Sequence, residues 1–311
     1  MRGRCKLFFL ASFCLLFIRP CHPEEKKPFW SKFSLKVSAG WGSRIPIGDV
    51  NDCLKSFNDN EVFEAHRDVG TGQVVGEIKT LDDRIFHGEA ELRFDLTPRI
   101  SFGIATSLPI HKRNESSVTY TYIGYAGPQI MTWTFKSEIK VSPPIRLSAY
   151  YTLPVINRLS ISIGGGLDLN PARVSQFLRY AETPPVGVSD WYTWDQEAKR
   201  NLAIGVHGNA VLKYLLNDRL ALVAEFQYRH IKMTGLKGTL KHENYYGDKS
   251  EESGTLYYFT EWNYFIGTRH ATLEIFETPP EGGVRWINDL REAALDLSGY
   301  SIRMGINVRL F

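Results

Sequence analysis

The chain has 311 residues, with 37 basic and 34 acidic side chains and a formal net charge of +3. Because the two signs are interspersed, the composition argues against a nucleic-acid-binding protein and against a polybasic membrane-surface segment. With only four cysteines in a chain of this length, it is not a small disulfide-stapled scaffold.

The N-terminus is predicted to be a signal peptide over residues 1–21. Three basic residues precede an apolar run at residues 7–18, which is too short to cross a bilayer as a helix. This order is typical of exported proteins. An uncleaved interfacial anchor is the alternative, because the residues before Cys21 do not form a small-residue cleavage pattern. If the signal peptide is removed after residue 21, residues 22–32 are predicted to be a short periplasmic segment. The barrel is predicted at residues 33–311.

Cysteine placement predicts no internal disulfide in the exported chain. Cys5, Cys14 and Cys21 lie in the predicted signal peptide, which leaves Cys53 alone. The fold must therefore be stabilised by packing and hydrogen bonds.

After residue 32, apolar and polar residues alternate in eight segments of about ten residues. Period two indicates strands with one apolar and one polar face, and about ten residues let a tilted strand cross the bilayer core. We predict an all-β fold, an eight-stranded antiparallel up-and-down transmembrane β-barrel. The segments are 33–41, 86–96, 100–108, 145–153, 159–169, 202–212, 220–228 and 300–310.

Short and long connections alternate between these segments. Tight turns of Pro, Asn and Asp residues are predicted at 97–99, 156–158 and 217–219. The other connections are long, at roughly 48–85, 113–131, 170–200 and 236–297. Short periplasmic turns and longer extracellular loops are typical of outer-membrane barrels. With eight strands, both termini are predicted in the periplasm.

The fourth strand is interrupted by Ser142, Pro143 and Pro144. Residues 133–141 also alternate, but proline cannot donate a hydrogen bond within a sheet ladder. We predict one long strand, bent at a bulge, that reaches beyond the membrane. The alternative is two separate strands and a ten-stranded barrel.

The polar faces of the eight strands carry charges of both signs. An eight-stranded barrel is only wide enough for side chains to fill its interior, and buried charges must be paired. We therefore predict a network of ion pairs that plugs the lumen, with Arg309 as a possible further member. Its members are Lys36, Glu89, Glu91, Arg93, Asp95, Arg146, Asp168, Lys213, Glu225, Arg229 and Arg303.

Aromatic side chains near the strand ends are predicted to form girdles at the two membrane surfaces. Tyr and Trp suit this position because one end of each side chain is apolar and the other polar. The candidates are Trp41, Trp133, Tyr151, Tyr214, Tyr228 and Tyr300.

The last strand, with alternating apolar residues and a terminal Phe, resembles the C-terminal signature of bacterial outer-membrane barrels. The run at 220–235 and the glycine-rich run at 161–169 resemble the seventh and fifth strands of the small OmpX, OmpW and OmpA transmembrane-domain barrels. The phase of the terminal strand departs from the signature, because Arg309 occupies the expected apolar position. The resemblance implies contact with outer-membrane lipid and with barrel-assembly machinery through that strand.

The resemblance also implies two rival functions, a carrier or narrow channel for small apolar molecules, as in OmpW, and a lipid-modifying enzyme. A lipid deacylase of this class would carry a His-x-Ser pair, which no histidine here provides. An omptin-like protease would need ten strands. No HExxH or Cys-x-x-Cys motif is present, so neither a metal nor a cofactor is predicted. His207 is assigned to the lumenal network.

Two features of the long connections point to further structure. Residues 51–66 and 285–295 are predicted to form short helices. Exposed Tyr and Trp residues are good binding anchors, so the aromatic third and fourth connections form a candidate surface for an extracellular ligand. The alternative is that they extend the barrel wall. The function predicted is a non-enzymatic barrel with a structural or surface-recognition role, and the recognition candidates are Trp191, Tyr192, Trp194, Tyr257, Tyr258 and Trp262.

Overall fold

The computed structural model describes residues 29–68, 73–124, 127–184, 189–263, 268–280 and 287–310. The predicted signal peptide, most of the periplasmic segment 22–32 and the terminal Phe311 lie outside the described residues. No helix within the described ranges is both long and apolar enough to span a bilayer.

Strands dominate the described chain, which begins with a short 3-10 helix at Phe29–Lys32. One α-helix, α1, covers Asp49–Asp68. The strands are β1 (Phe33–Gly42), β2 (Gln73–Gly76), β3 (Phe86–Asp95), β4 (Ile100–Ser107), β5 (Ile110–Gly124), β6 (Gly127–Val141), β7 (Ile145–Ile156), β8 (Leu159–Thr183), β9 (Asp190–Leu215), β10 (Leu220–His230), β11 (Lys232–Met233), β12 (Lys237–Asn244), β13 (Lys249–Asn263), β14 (Thr268–Phe276), β15 (Ile287–Glu292), β16 (Leu295–Asp296) and β17 (Gly299–Arg309).

Eight strands close into an antiparallel barrel in the order β1, β3, β4, β7, β8, β9, β10, β17. The last strand pairs with the first, from Ser34 opposite Arg309 to Gly42 opposite Ser301. Closure pairs the backbone groups at both edges, which an apolar solvent requires. The predicted eight-stranded barrel is confirmed.

The outer wall of the barrel is apolar. Alternate residues such as Ile104, Ile204, Ile302 and Met304 are between 60% and 73% exposed. In water such a continuous apolar band would be strongly unfavourable, whereas in a bilayer these side chains contact acyl chains. The wall therefore has the composition of a transmembrane barrel.

Tight turns join the barrel strands at one end of the barrel, at 96–99, 157–158 and 216–219. In the first, the Thr97 hydroxyl accepts hydrogen bonds from the backbone N–H groups of Arg99 and Ile100. In the third, the Asn217 side-chain oxygen accepts hydrogen bonds from the backbone N–H groups of Arg219 and Leu220. These short polar side chains stabilise the turns that the sequence predicts.

The long connections lie at the opposite end and are largely β-structure. Strands β8 and β9 run for 25 and 26 residues, about 80 Å at the usual rise, whereas about ten residues cross a bilayer core. Their outer halves continue into a second sheet in the order β14, β13, β12, β9, β8, β6, β5, β2. We call this outer sheet, together with α1, the extension.

The proline break at residues 142–144 separates β6 from β7, but the two strands lie end to end along β8. Val141 is opposite Ala172, and Ile145 is opposite Leu169. The Ser142 N–H donates to the carbonyl of Pro171 at 3.1 Å across the gap. The fourth barrel strand thus continues beyond the membrane, and the barrel has eight strands rather than ten.

The inside of the extension is apolar, which reverses the polarity of the barrel interior. Val174, Leu240 and Ile275 are at most 3% exposed and belong to one hydrophobic core. Trp133 also belongs to this core and packs against Tyr180. The prediction that Trp133 forms part of a membrane girdle is therefore wrong, because its strand, β6, lies in the extension.

Helix α1 covers the opening between the two edges of the outer sheet. It contacts both β14 and β2, and the Ser56 hydroxyl accepts a hydrogen bond from the Ala271 N–H at 2.7 Å. The helix predicted at 51–66 is confirmed. The helix predicted at 285–295 is wrong, because β15 and β16 occupy its described part and β15 pairs with β13.

Candidate functional site

The barrel lumen brings most of the predicted charged residues together. Four cations alternate with four carboxylates, each at most 6% exposed. Each cation lies within ion-pair distance of at least one carboxylate. The eight residues are Lys36, Arg93, Arg146 and Arg303 with Glu89, Glu91, Asp168 and Glu225.

Lys36 lies at the centre of this network. Its Nζ atom is 2.6 Å from both Glu91 Oε2 and Glu225 Oε2, and 3.0 Å from Glu89 Oε1. Glu91 is its direct cross-strand neighbour, whereas Glu225 reaches it from the seventh barrel strand. Three carboxylates around one ammonium would be unstable alone, so the arginines must supply the remaining positive charge.

Arginines bridge these carboxylates to the other walls. Arg303 donates to Glu225 Oε1 at 2.8 Å and also contacts Glu89. Arg146 Nε is 2.7 Å from Asp168 Oδ1, and its Nη1 also contacts Glu89. Each of these two guanidiniums joins two carboxylates, on an adjacent strand and on a next-but-one strand, so the network links several strands of the inner wall.

Small residues on the inner wall make room for these long side chains. A Cβ atom at Gly103 would clash with the Glu91 carboxylate, and one at Gly164 would clash with the Tyr150 ring. Arg93 lies over that ring, 3.9 Å from its centroid. The glycines therefore permit a filled interior.

Three predicted members lie at the edges of the network. Asp95 and Lys213 are only partly buried, near the turn end of the barrel. Arg229 is buried, but its Nη2 atom has no hydrogen-bond partner among the described residues. Arg309, opposite the inward Ser34, is also only partly buried.

A hydrogen-bonded Ser–His–Asp arrangement lies in the same lumen. Ser148 Oγ is 2.9 Å from His207 Nε2, and His207 Nδ1 is 3.2 Å from Asp168 Oδ2. These are the contacts of a hydrolase triad. Here, however, the His207 and Asp168 side chains are fully buried, and Arg146 already pairs with that carboxylate. The Ser148, His207 and Asp168 side chains are therefore members of the buried lumenal network.

The six predicted recognition residues do not form one surface. Tyr192 and Trp194 face the inside of the extension, where Tyr192 stacks on Tyr180 at 4.9 Å. Trp191 faces the opposite side of β9 and lies 6.0 Å from the Arg179 guanidinium. Tyr258 also packs against the core, with Arg291 over its ring.

The remaining two candidates lie in the second half of β13. Tyr257 contacts the Phe276 ring at 6.4 Å, and Trp262 is 40% exposed. The aromatic residues of the third and fourth connections are thus divided between wall packing and solvent exposure.

A pocket of about 230 Å³ opens inside the outer end of the extension. Its apolar wall comes from α1, β6, β8 and β9, with Phe57, Phe135, Leu178 and Trp194 as the main contributors. Tyr192, which is 38% exposed, connects this wall with the surface. This volume is below the range of about 300–1,000 Å³ that is typical of small-molecule sites, so only a small ligand would fit.

Two buried glutamines give this pocket its polar character. Gln196 Nε2 donates to Gln176 Oε1 at 2.8 Å and to the Leu273 carbonyl at 2.9 Å. Gln176 Nε2 and Gln196 Oε1 have no hydrogen-bond partner among the described residues, although both side chains are at least nine-tenths buried. Leaving such groups unpaired is costly.

These two glutamines are not among the residues predicted from the sequence. They occupy the inward positions of β8 and β9, where Val174 and Ala198 are apolar neighbours. The signal that could have revealed them is a polar residue at an inward position of a strand whose other inward residues are apolar. Residues 170–200 were predicted to be a loop, so their alternation was not interpreted as a strand.

The pocket wall also contains Cys53 of α1. Burial raises the pKa of the Cys53 thiol to about 12, and the nearby carboxylates of Asp49 and Asp52 act in the same direction. The thiol is therefore protonated at neutral pH. Among the described residues, no cluster of His, Cys, Asp and Glu has the geometry of a metal site.

Comparisons with known proteins return only distant structural neighbours. No protein-family model and no curated protein matches the chain. A major outer membrane protein from Thermus thermophilus is 12% identical, with 89% of this chain and 98% of that chain covered, at a TM-score of 0.30. The outer membrane protease OmpT from Escherichia coli is 9% identical, with 92% and 99% covered, also at 0.30. Sequence identities of 12% and 9% and TM-scores of 0.30 support no conclusion about function.

Replacing Glu225 with Gln tests the lumenal network. Glu225 accepts hydrogen bonds from Lys36, Arg303 and Asn209. Removing its charge leaves buried cations incompletely neutralised, so we expect a loss of about 3 kcal/mol in unfolding free energy. Urea unfolding in detergent micelles, followed by tryptophan fluorescence, measures this loss.

Glu251→Gln is the matched control. Glu251 pairs with Lys241 at 3.5 Å on the exposed surface, where an ion pair contributes less than about 1 kcal/mol. Equal effects of the two variants would contradict a stabilising role for the network.

Alkylation of Cys53 tests the pocket wall. With a pKa of about 12, the thiolate fraction at pH 8 is about a thousandfold below that of an unperturbed thiol. We expect correspondingly slow reaction with iodoacetamide, followed peptide by peptide with mass spectrometry. The rate should rise about tenfold for each pH unit up to the pKa. A rate equal to that of the chain unfolded in urea would show that the thiol is not shielded.

Proposed function

We propose that this chain is a non-conducting outer-membrane anchor that holds a folded extension outside the cell for surface recognition. The observation that supports the proposal is the reversal of interior polarity along the strands. In the barrel, paired charges fill the lumen. Directly beyond them, Val141, Ala172 and Ala203 begin an apolar core. A solute would have to pass both layers.

Recognition is assigned to the extension because it contains a pocket that combines an apolar wall with polar side chains. The apolar wall and the two unpaired glutamine groups suit a small uncharged amphiphile that carries a hydrogen-bond donor and acceptor. The resemblance to small outer-membrane barrels supports the membrane assignment, with export through the predicted signal peptide and assembly through the terminal strand.

Conductance in planar bilayers tests the plugged lumen. We expect the wild-type protein to insert without a stable open level, because the ion-pair network occupies the cross-section. Heat-dependent mobility on a denaturing gel, measured on the same preparation, verifies that the inserted protein is a folded barrel. A steady conductance from the folded protein would favour the narrow-channel alternative.

The lipid-modifying alternative has one observation in its favour, the arrangement of Ser148, His207 and Asp168. Because that arrangement is buried, we expect the wild-type protein and Ser148→Ala to leave outer-membrane lipid unchanged. Incubation with labelled lipid A, followed by mass spectrometry, checks this expectation. A product formed by the wild type and absent with Ser148→Ala would overturn the non-enzymatic assignment.

A further inference from the structure

A row of basic side chains crosses four neighbouring strands on the outside of the extension. Lys140 of β6 is the direct partner of Arg173 of β8, Arg173 is the partner of Lys199 of β9, and Lys199 is the partner of Lys237 of β12. All four are exposed. Their strand neighbours Ile139, Val174, Ala198 and Leu236 are buried in the core. We call these four residues the basic row.

The positive charge of the basic row is only partly neutralised within the protein. Lys140 Nζ is 2.9 Å from Glu138 Oε1, and Arg173 pairs with Glu197. Lys199 and Lys237 have no ion pair with any described residue. Like charges directly opposite each other in a sheet are destabilising, and exposed ion pairs compensate weakly. An external anion would therefore stabilise this arrangement.

The height of the basic row above the lipid band identifies the anion. Leu202 is the outermost lipid-facing residue of β9 and is 52% exposed. Lys199 lies three residues further along the strand, about 10 Å, which is about 7 Å in height for a tilt near 45°. A headgroup layer is about 5–8 Å thick on each side of the hydrocarbon core. Lys199 therefore stands at the level of the headgroups.

We propose that the basic row binds the phosphate groups of outer-leaflet lipid headgroups. Four strands at the usual spacing span about 14 Å, which is enough for two phosphates side by side. Arg173 supplies a planar fork for phosphate oxygens, and the lysines supply mobile point charges. This contact goes beyond recognition of a soluble ligand, because it sets how the extension rests on the membrane.

Lipid retention by the folded full-length protein tests the proposal. Wild type and the variant Lys140→Gln/Arg173→Gln/Lys199→Gln/Lys237→Gln are placed in phosphatidylcholine nanodiscs that contain a minor fraction of bis-phosphorylated lipid A. Native mass spectrometry counts the phosphorylated lipids that remain bound. We expect the variant to retain at least about tenfold less, because each basic residue at an anionic surface contributes separately. Retention should also fall with added salt.

The control variant is Lys136→Gln/Arg179→Gln/Lys241→Gln/Lys249→Gln. It removes the same charge from positions farther along the same sheet, of which Lys136 is partly exposed and the other three are exposed, so we expect wild-type retention. An equal loss of lipid in both variants would show that the effect depends only on net charge, and it would overturn the proposal. Unchanged retention in the basic-row variant would also overturn it. Release of the lipid by millimolar inorganic phosphate alone would assign the site to a free anion.

A second variant guards against misfolding of the fourfold substitution. Lys199→Gln/Lys237→Gln breaks no ion pair within the described residues, and heat-dependent gel mobility verifies that it folds. We expect the lipid retention of this double variant to be about threefold below wild type, which on a logarithmic scale is half of the loss expected for the fourfold variant. Wild-type retention by this folded variant would contradict the proposal. The loss of lipid is independent of pocket binding, so failure here would leave the proposed recognition function standing.

Discussion

Closure of the sheet by the pairing of β1 with β17 is the constraint on which the rest of the structure depends. In lipid, an unpaired backbone edge costs several kcal/mol for each group, so the apolar outer wall is tolerable only on a closed cylinder. Closure in turn creates a narrow interior of the kind that side chains can fill. Most of the charged side chains on the inner wall find their partners inside that cylinder.

The lumenal network solves this problem by neutralising charge across the cylinder. Pairs such as Arg146 with Asp168 and Glu225 with Arg303 join direct cross-strand partners. Lys36 with Glu225 instead joins walls that are 189 residues apart in sequence. The first kind of pair fixes the register of neighbouring strands, and the second kind joins β1 with β10 across the intervening strand β17. A network of both kinds gives the barrel one packing arrangement.

Strands β8 and β9 face lipid in the barrel and face water in the extension. In the barrel half of β8, Ile163 and Leu167 face outward and Asp168 faces inward. Beyond the irregularity between Asn170 and Ala172, Arg173 faces outward and Val174 inward. The irregularity coincides with the change from lipid to water outside. A chain that reverses its polarity in this way carries a rigid water-exposed layer without a flexible linker, and the basic row lies where the two solvents meet.

The sequence by itself determined the barrel, its strand count, its turns and which charges face inward, because a strict two-residue period depends only on which side of a strand meets lipid. It also predicted helix α1. Only the tertiary structure decided how the long connections fold. The inward positions of β8 and β9 beyond residue 170 combine apolar residues with Gln176 and Gln196, and their partners on β6 and β12 are remote in sequence. Likewise, residues 285–295 have a helical spacing, yet β15 pairs with β13, because contacts across the extension outweigh local preference. The pocket and the basic row arise from cross-strand neighbours, which a single sequence does not reveal until the register is known.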